Sequence, residues 1–100
     1  MATHHFQPTH YHTAIGLHEP VLRIGDGDTV VTTTVDAFGK DASDTLVTPR
    51  GNPQTGPFFI EGAEPGDTLV VQLERISPNR TIGYTGSVVA ANVVDLAYVR

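Results

Sequence analysis

Asn52-Pro53-Gln54-Thr55-Gly56-Pro57-Phe58-Phe59-Ile60-Glu61-Gly62-Ala63-Glu64-Pro65-Gly66-Asp67-Thr68-Leu69-Val70-Val71 packs two turn signals and two strand-like runs into one stretch. Phe58 to Ile60 is a short apolar run that Glu61 ends. Glu64-Pro65-Gly66-Asp67 places Pro and Gly at the second and third positions of a type II turn, which needs the fixed φ of the one and the positive φ open to the other. Thr68 to Ile76 then alternates, with Leu69, Val71 and Leu73 on one face and Gln72 and Glu74 on the other, the period of a half-buried strand.

Upstream, Val21-Leu22-Arg23-Ile24 is a short strand, Asp26-Gly27 is a turning dipeptide, and Thr29 to Val35 is rich in β-branched residues that favour a strand. Gly27-Asp28-Thr29 and Gly66-Asp67-Thr68 repeat the same device, a turn feeding an outgoing strand. Asp28 and Asp67 are therefore read as residues chosen for conformation. Residues 36–57 carry Gly39, Pro49, Gly51, Pro53, Gly56 and Pro57, a density that breaks regular structure and predicts a long loop. Loops of that length in compact domains are often functional, so this one is a candidate wall of a site. Val88 to Val94 reads as a further strand or extended segment. Residues 1–17 form a His-rich arm or edge strand, and residues 18–100 a β domain. With no helical stripe of three turns, the expected fold is all-β: a sandwich-like or barrel-like domain of short antiparallel strands with a long loop and little or no helix.

A chain of 100 residues is sized for one domain with a modest core, whose stability is expected to lean on further sequence or on a partner. Its formal charge is -5 and its six Lys and Arg are scattered singly, so it lacks the basic footprint that phosphate backbones require, and no nucleic acid is expected as a partner. No apolar run is long enough to span a bilayer and the first residues lack a signal core, so a cytoplasmic protein without membrane contact is expected. Cysteine is absent. That excludes a disulfide framework, a thiol nucleophile of the nitrilase type and a blue-copper centre.

The Asn52 to Val71 stretch, with its Glu61-Gly62-Ala63-Glu64-Pro65-Gly66-Asp67 segment, closely resembles the signature of the acetamidase/formamidase family. Glu19 to Val30, Val35-Asp36-Ala37-Phe38 and Gly83-Tyr84-Thr85 resemble further family segments in the family's order, so the likeness runs from about Glu19 to about Thr85. It implies a sandwich-like β core and hydrolysis of short-chain amides such as formamide or acetamide to a carboxylate and ammonia. Family members are several-fold longer. The chain thus looks like the amino-terminal part of such an enzyme, with the site completed by residues beyond Arg100, and a homo-oligomer such as a dimer, or association with a chain supplying the missing part, is expected.

Amide hydrolysis needs an activated nucleophile, an oxyanion stabiliser and a proton donor for the departing nitrogen. Ser43, Ser77 and Ser87 lie in no nucleophile elbow, and no Ser-Ser-Lys pattern is present. Water activated by a metal or a carboxylate remains. Asp36 and Glu61, at the ends of strand-like runs, are acidic in the family pattern, and the resemblance implies a catalytic or metal-binding role for both. A divalent cation, zinc before others, is the expected cofactor. Asn52 could orient the amide substrate or cap its own turn, and Thr55 and Gly56 could face an oxyanion. His10 and His12 share a face if extended and could form half of a zinc or nickel site; a polar arm is the simpler reading. The alternative to an amide hydrolase is a non-catalytic β-sandwich binding or assembly module derived from the same family.

Overall fold

In the computed structural model, which describes residues 1–83 and Ala97, four short strands appear: β1 Thr3–His5, β2 Leu22–Ile24, β3 Thr29–Val31 and β4 Phe58–Ile60. The two chain reversals at Gly25–Asp28 and Glu64–Asp67 have one geometry. In each, the amide of the last residue bonds the carbonyl of the first (3.1 and 3.0 Å), and the Asp carboxylate accepts the first residue's amide (2.8 and 2.9 Å). Gly27 and Gly66 sit at φ +84° and +94°, as the third position of a type II turn demands. The conformational roles of Asp28 and Asp67 are thereby seen directly.

The all-β expectation holds, but the strand pairing differs from it. β1 pairs with β3 and β2 with β4, both in parallel, with Thr3 opposite Thr29 and Leu22 opposite Phe58. The tight turn between β2 and β3 does not make a hairpin, because each strand finds its partner elsewhere. Parallel partners require connections of about a dozen residues or more, and residues 6–28 and 25–57 supply them. Antiparallel contact among the described residues is confined to two isolated bridges, His12 to Gln54 and Lys40 to Leu46. Phe6, following β1, meets Phe58 of β4 edge to face with ring centroids 5.8 Å apart, and so joins the two pairs.

Two further expectations are corrected. Thr68 to Ile76 has the alternation of a strand but forms none, since no described residue offers it a ladder partner and period-two patterning needs one to become a strand. Nor is there a hydrophobic core of fully buried side chains among the described residues. The buried positions among the described residues are Pro8, Gly39, Pro53 and Gly56, none of them a large apolar side chain. Only residues 29–31 of the Thr29 to Val35 run are strand. The Val88 to Val94 run lies outside the described residues, as do Tyr84 and Thr85.

Candidate functional site

The loop of residues 36–57 is strandless, as its composition requires, yet it is cross-linked throughout. Asp36 and Asp41 open two consecutive loops of the same construction. Oδ1 of Asp36 accepts the amides of Phe38 and Lys40 at 2.9 Å each, and Oδ1 of Asp41 accepts those of Ser43 (2.9 Å) and Thr45 (3.1 Å). The backbone amide of each Asp bonds the carbonyl four residues on, and its carbonyl accepts from the residue three on. That third position needs positive φ, and it is Gly39 (+85°) in the first loop and Asp44 (+59°) in the second. A signal for this was present in Asp36-Ala37-Phe38-Gly39-Lys40 and Asp41-Ala42-Ser43-Asp44-Thr45, an echo the sequence reading missed.

Arg80 closes both loops. Its Nη2 donates to Oδ2 of Asp36, its Nη1 donates to the Asp41 carbonyl at 3.1 Å and stands 3.6 Å from Asp44 Oδ1. Asn79 alongside donates from Nδ2 to the Thr33 hydroxyl at 2.9 Å. The Arg80 guanidinium, first, and then the Lys40 and Phe38 amides hold the Asp36 carboxyl below its ordinary value against the opposing effect of partial burial. Both oxygens of Asp36 are thus engaged, and the group is a firmly ionised anchor. Arg80 could not be found from sequence, because its partners lie some forty residues upstream with no periodicity to link them.

Asn52 sits at φ +58°, its amide and that of Gly51 both donating to the Ala37 carbonyl (3.2 and 3.1 Å). It is a turn residue beside the Asp36 loop, and its exposed side-chain amide makes no hydrogen bond with other described residues. Glu61 stands elsewhere, at the end of β4. Its amide bonds the Ile24 carbonyl at 2.8 Å, while its carboxylate is 59% exposed and 3.5 Å from Arg23 Nη1. Arg23 itself lies over the Phe59 ring at 4.2 Å. No hydrogen bond or ion pair joins any two of Asp36, Asn52 and Glu61, and no three His, Asp or Glu among the described residues gather closely enough to hold a metal ion.

The other candidates are placed as follows. The Thr55 hydroxyl donates to the Thr33 carbonyl at 3.0 Å and so is committed to the fold. His12 stacks on His18 with centroids 3.7 Å apart instead of sharing a face with His10, whose Nδ1 meets the Thr9 hydroxyl. The backbone of His12 exchanges two hydrogen bonds with Gln54 (3.2 and 2.8 Å), docking the arm onto the Asn-Pro-Gln-Thr-Gly-Pro turn.

Short strands, Asp-capped loops and carboxylates at strand ends define a β scaffold with its polar groups gathered on turns. Residues 4–97 match the acetamidase/formamidase family, and the chain belongs to it. Among curated proteins it is similar to "Putative formamidase C869.04" of Schizosaccharomyces pombe (strain 972 / ATCC 24843), with 53% identity over 34 residues. That match spans 32% of this chain and 8% of the relative's length. No solved structure matches the chain.

Proposed function

We propose that the protein contributes to hydrolysis of short-chain linear amides, formamide and acetamide foremost, with release of ammonia in the cytoplasm. Family membership supports the amide class, and Glu61 carries the particular reading. Its carboxylate is solvent-accessible and held only by a long contact to Arg23, so it can reach a water or a substrate that binds against the end of β4. In this proposal Glu61 accepts the proton of the attacking water, Asn52 donates its side-chain amide to the substrate, and Asp36 fixes the loop that carries Asn52. The remaining groups come from outside this chain's described residues.

The two carboxylates fit a metal site only in part. Glu61 has oxygens to offer; Asp36 would have to exchange Arg80 for the ion. A divalent cation bound there, zinc before others, would lower the pKa of a coordinated water. One observation favours the second reading, a binding or assembly module without catalysis: Asp36 and Glu61 share no contact, and Asp36 is fully occupied. An ammonia-release assay on formamide and acetamide, with metal analysis of the same purified sample, separates the two. Turnover that falls by a factor of about a hundred or more in Glu61→Gln, the size of a lost general base, supports the hydrolase. No ammonia from either amide, from the protein alone or with the rest of the enzyme supplied, leaves the module.

A further inference from the structure

The two chain reversals share a geometry but differ in the residue ahead of the turning glycine. It is Pro65 before Gly66 and Asp26 before Gly27. Asp26-Gly27 is the one Asp-Gly pair of the sequence, every other Asp being followed by Ala, Thr or Leu. Among the described aspartates, Asp26 alone makes no hydrogen bond or ion pair: Asp28, Asp36, Asp41 and Asp67 accept backbone amides, and Asp44 faces Lys40 and Arg80. The Gly27 amide likewise donates to no described residue, and both residues are exposed.

We infer that Asp26-Gly27 is a site of spontaneous isomerisation to isoaspartate, and that the change releases β1 from β3. The Gly27 nitrogen bonds to Cγ of Asp26 and closes a succinimide ring, while the carboxyl hydroxyl leaves with the amide proton as water. A second water then opens the ring. Attack at Cγ restores aspartate; attack at the former backbone carbonyl leaves the main chain running through Cβ and Cγ, with a free carboxylate on Cα. No atom is gained or lost overall. Ring closure needs an unengaged carboxyl, an unengaged amide nitrogen and no side chain crowding that nitrogen, and glycine meets the last condition. Pro65, in the equivalent place, has no carboxyl to react. The product puts an additional carbon into a reversal that Asp28 closes, and Asp28 also accepts the Ala2 amide and His4 Nε2, each at 2.8 Å. A further carbon–carbon bond lengthens the path by about 1.5 Å, more than these hydrogen bonds tolerate before passing roughly 3.2 Å. Asp28 then cannot hold Gly25 and the arm together. The chemistry uses only these residues and water, so it stands apart from the proposed catalysis.

The test ages the whole chain for weeks at physiological temperature and neutral pH. Isoaspartate is measured by methyl transfer from S-adenosylmethionine, with an isoaspartyl-directed carboxyl methyltransferase as the probe, and is placed by peptide mapping. Methyl acceptance should rise with time in the peptide that holds Asp26 and in no other. Asp26→Pro copies the Glu64 turn and removes no hydrogen bond to a described residue, since the Asp26 amide makes none; it should lose the signal. The Thr29 amide, which donates to the Ala2 carbonyl, reads the attachment of β1. In the isoaspartate fraction, isolated by ion exchange, it should exchange at least about tenfold faster than in fresh protein, as for loss of a charge-assisted hydrogen bond, while the Phe38 and Lys40 amides keep their rates. The inference is overturned by an aged chain without methyl acceptance at position 26, by equal acceptance in Asp26→Pro, or by Thr29 exchange that is the same in the isoaspartate fraction and in fresh protein.

Discussion

Gly39 shows how a single backbone position can hold a site together. Its φ is +85°, and a Cβ added there would lie 2.0 Å from the Thr48 carbonyl oxygen, a distance no rotamer can relieve. Gly62 has nearly the same φ, +83°, but nothing within 4 Å. The pair separates conformational cost from collision. Gly62→Ala should lose about 1 kcal/mol, the cost of the left-handed region for an L-residue. Gly39→Ala should lose roughly 3 kcal/mol or more, because the loop must also retreat from Thr48. Denaturant midpoints of the two variants check this, and equal losses would mean that the loop yields freely. The Asp36 loop was legible in sequence as a place rich in turn residues. Its exact closure was not, because Thr48 approaches Gly39 only through the fold of the intervening chain.

Among the elements, β1 depends most on one side chain. The Asp28 carboxylate accepts the Ala2 amide, His4 Nε2 and the Gly25 amide, each at 2.8 Å, and so ties the arm to the turn before β3. The Ala2 amide, then His4, then the Gly25 amide hold this carboxyl well below its ordinary value of 3.8. A depressed folded value means that the unfolded chain takes up the proton first. The stabilisation is therefore complete above 3.8 and is lost as pH falls through that value toward the folded one. Exchange of the Thr29 amide, which donates to the Ala2 carbonyl, reads the attachment of β1 to β3. That amide should exchange faster as pH falls below about 4, relative to its intrinsic rate, while in Asp28→Asn it should already be fast at neutral pH. A flat profile in the unaltered protein would show that β1 is held by its ladder alone. Asp28 was recognisable in sequence as a turn residue, and its place in the turn is as read there. Its grip on the arm required the parallel pairing of β1 with β3, which no local pattern announced.

Across the whole molecule, Arg80 is the longest-range constraint on the candidate site. It binds Asp36, Asp41 and Asp44 together from a position that alternation and turn signals leave without a role. Arg80→Met keeps much of the side chain's length and removes the charge. The Phe38 and Lys40 amides, which bond Asp36, should then exchange faster by on the order of tenfold, as for loss of a charge-assisted hydrogen bond, while those of β4 stay unchanged. Acceleration across both regions alike would mean that the molecule opens as one unit. The absence of a buried apolar core among the described residues belongs to this scale too. Apolar side chains amount to 39% of the sequence, yet the fold described here is held chiefly by backbone ladders, Asp-capped turns, the contacts of Arg80 and the ring contacts of Phe6 with Phe58 and of His12 with His18.

Sequence alone determined the strand-rich class, the type II turn at Glu64-Pro65-Gly66-Asp67, a turn at Asp26-Gly27, the conformational reading of Asp28 and Asp67, the loop of residues 36–57 and, by resemblance, the family. The family rests on the resemblance of whole segments; the others rest on steric and hydrogen-bonding preferences that act over a few neighbouring residues. Tertiary structure alone decided that the strands pair in parallel, that Arg80 rather than a second carboxylate meets Asp36, that His12 stacks on His18, and that Thr68 to Ile76 stays without a partner among the described residues. Those outcomes depend on which distant segments come together, and alternation or turn chemistry specifies a surface to be paired without naming the surface that pairs with it.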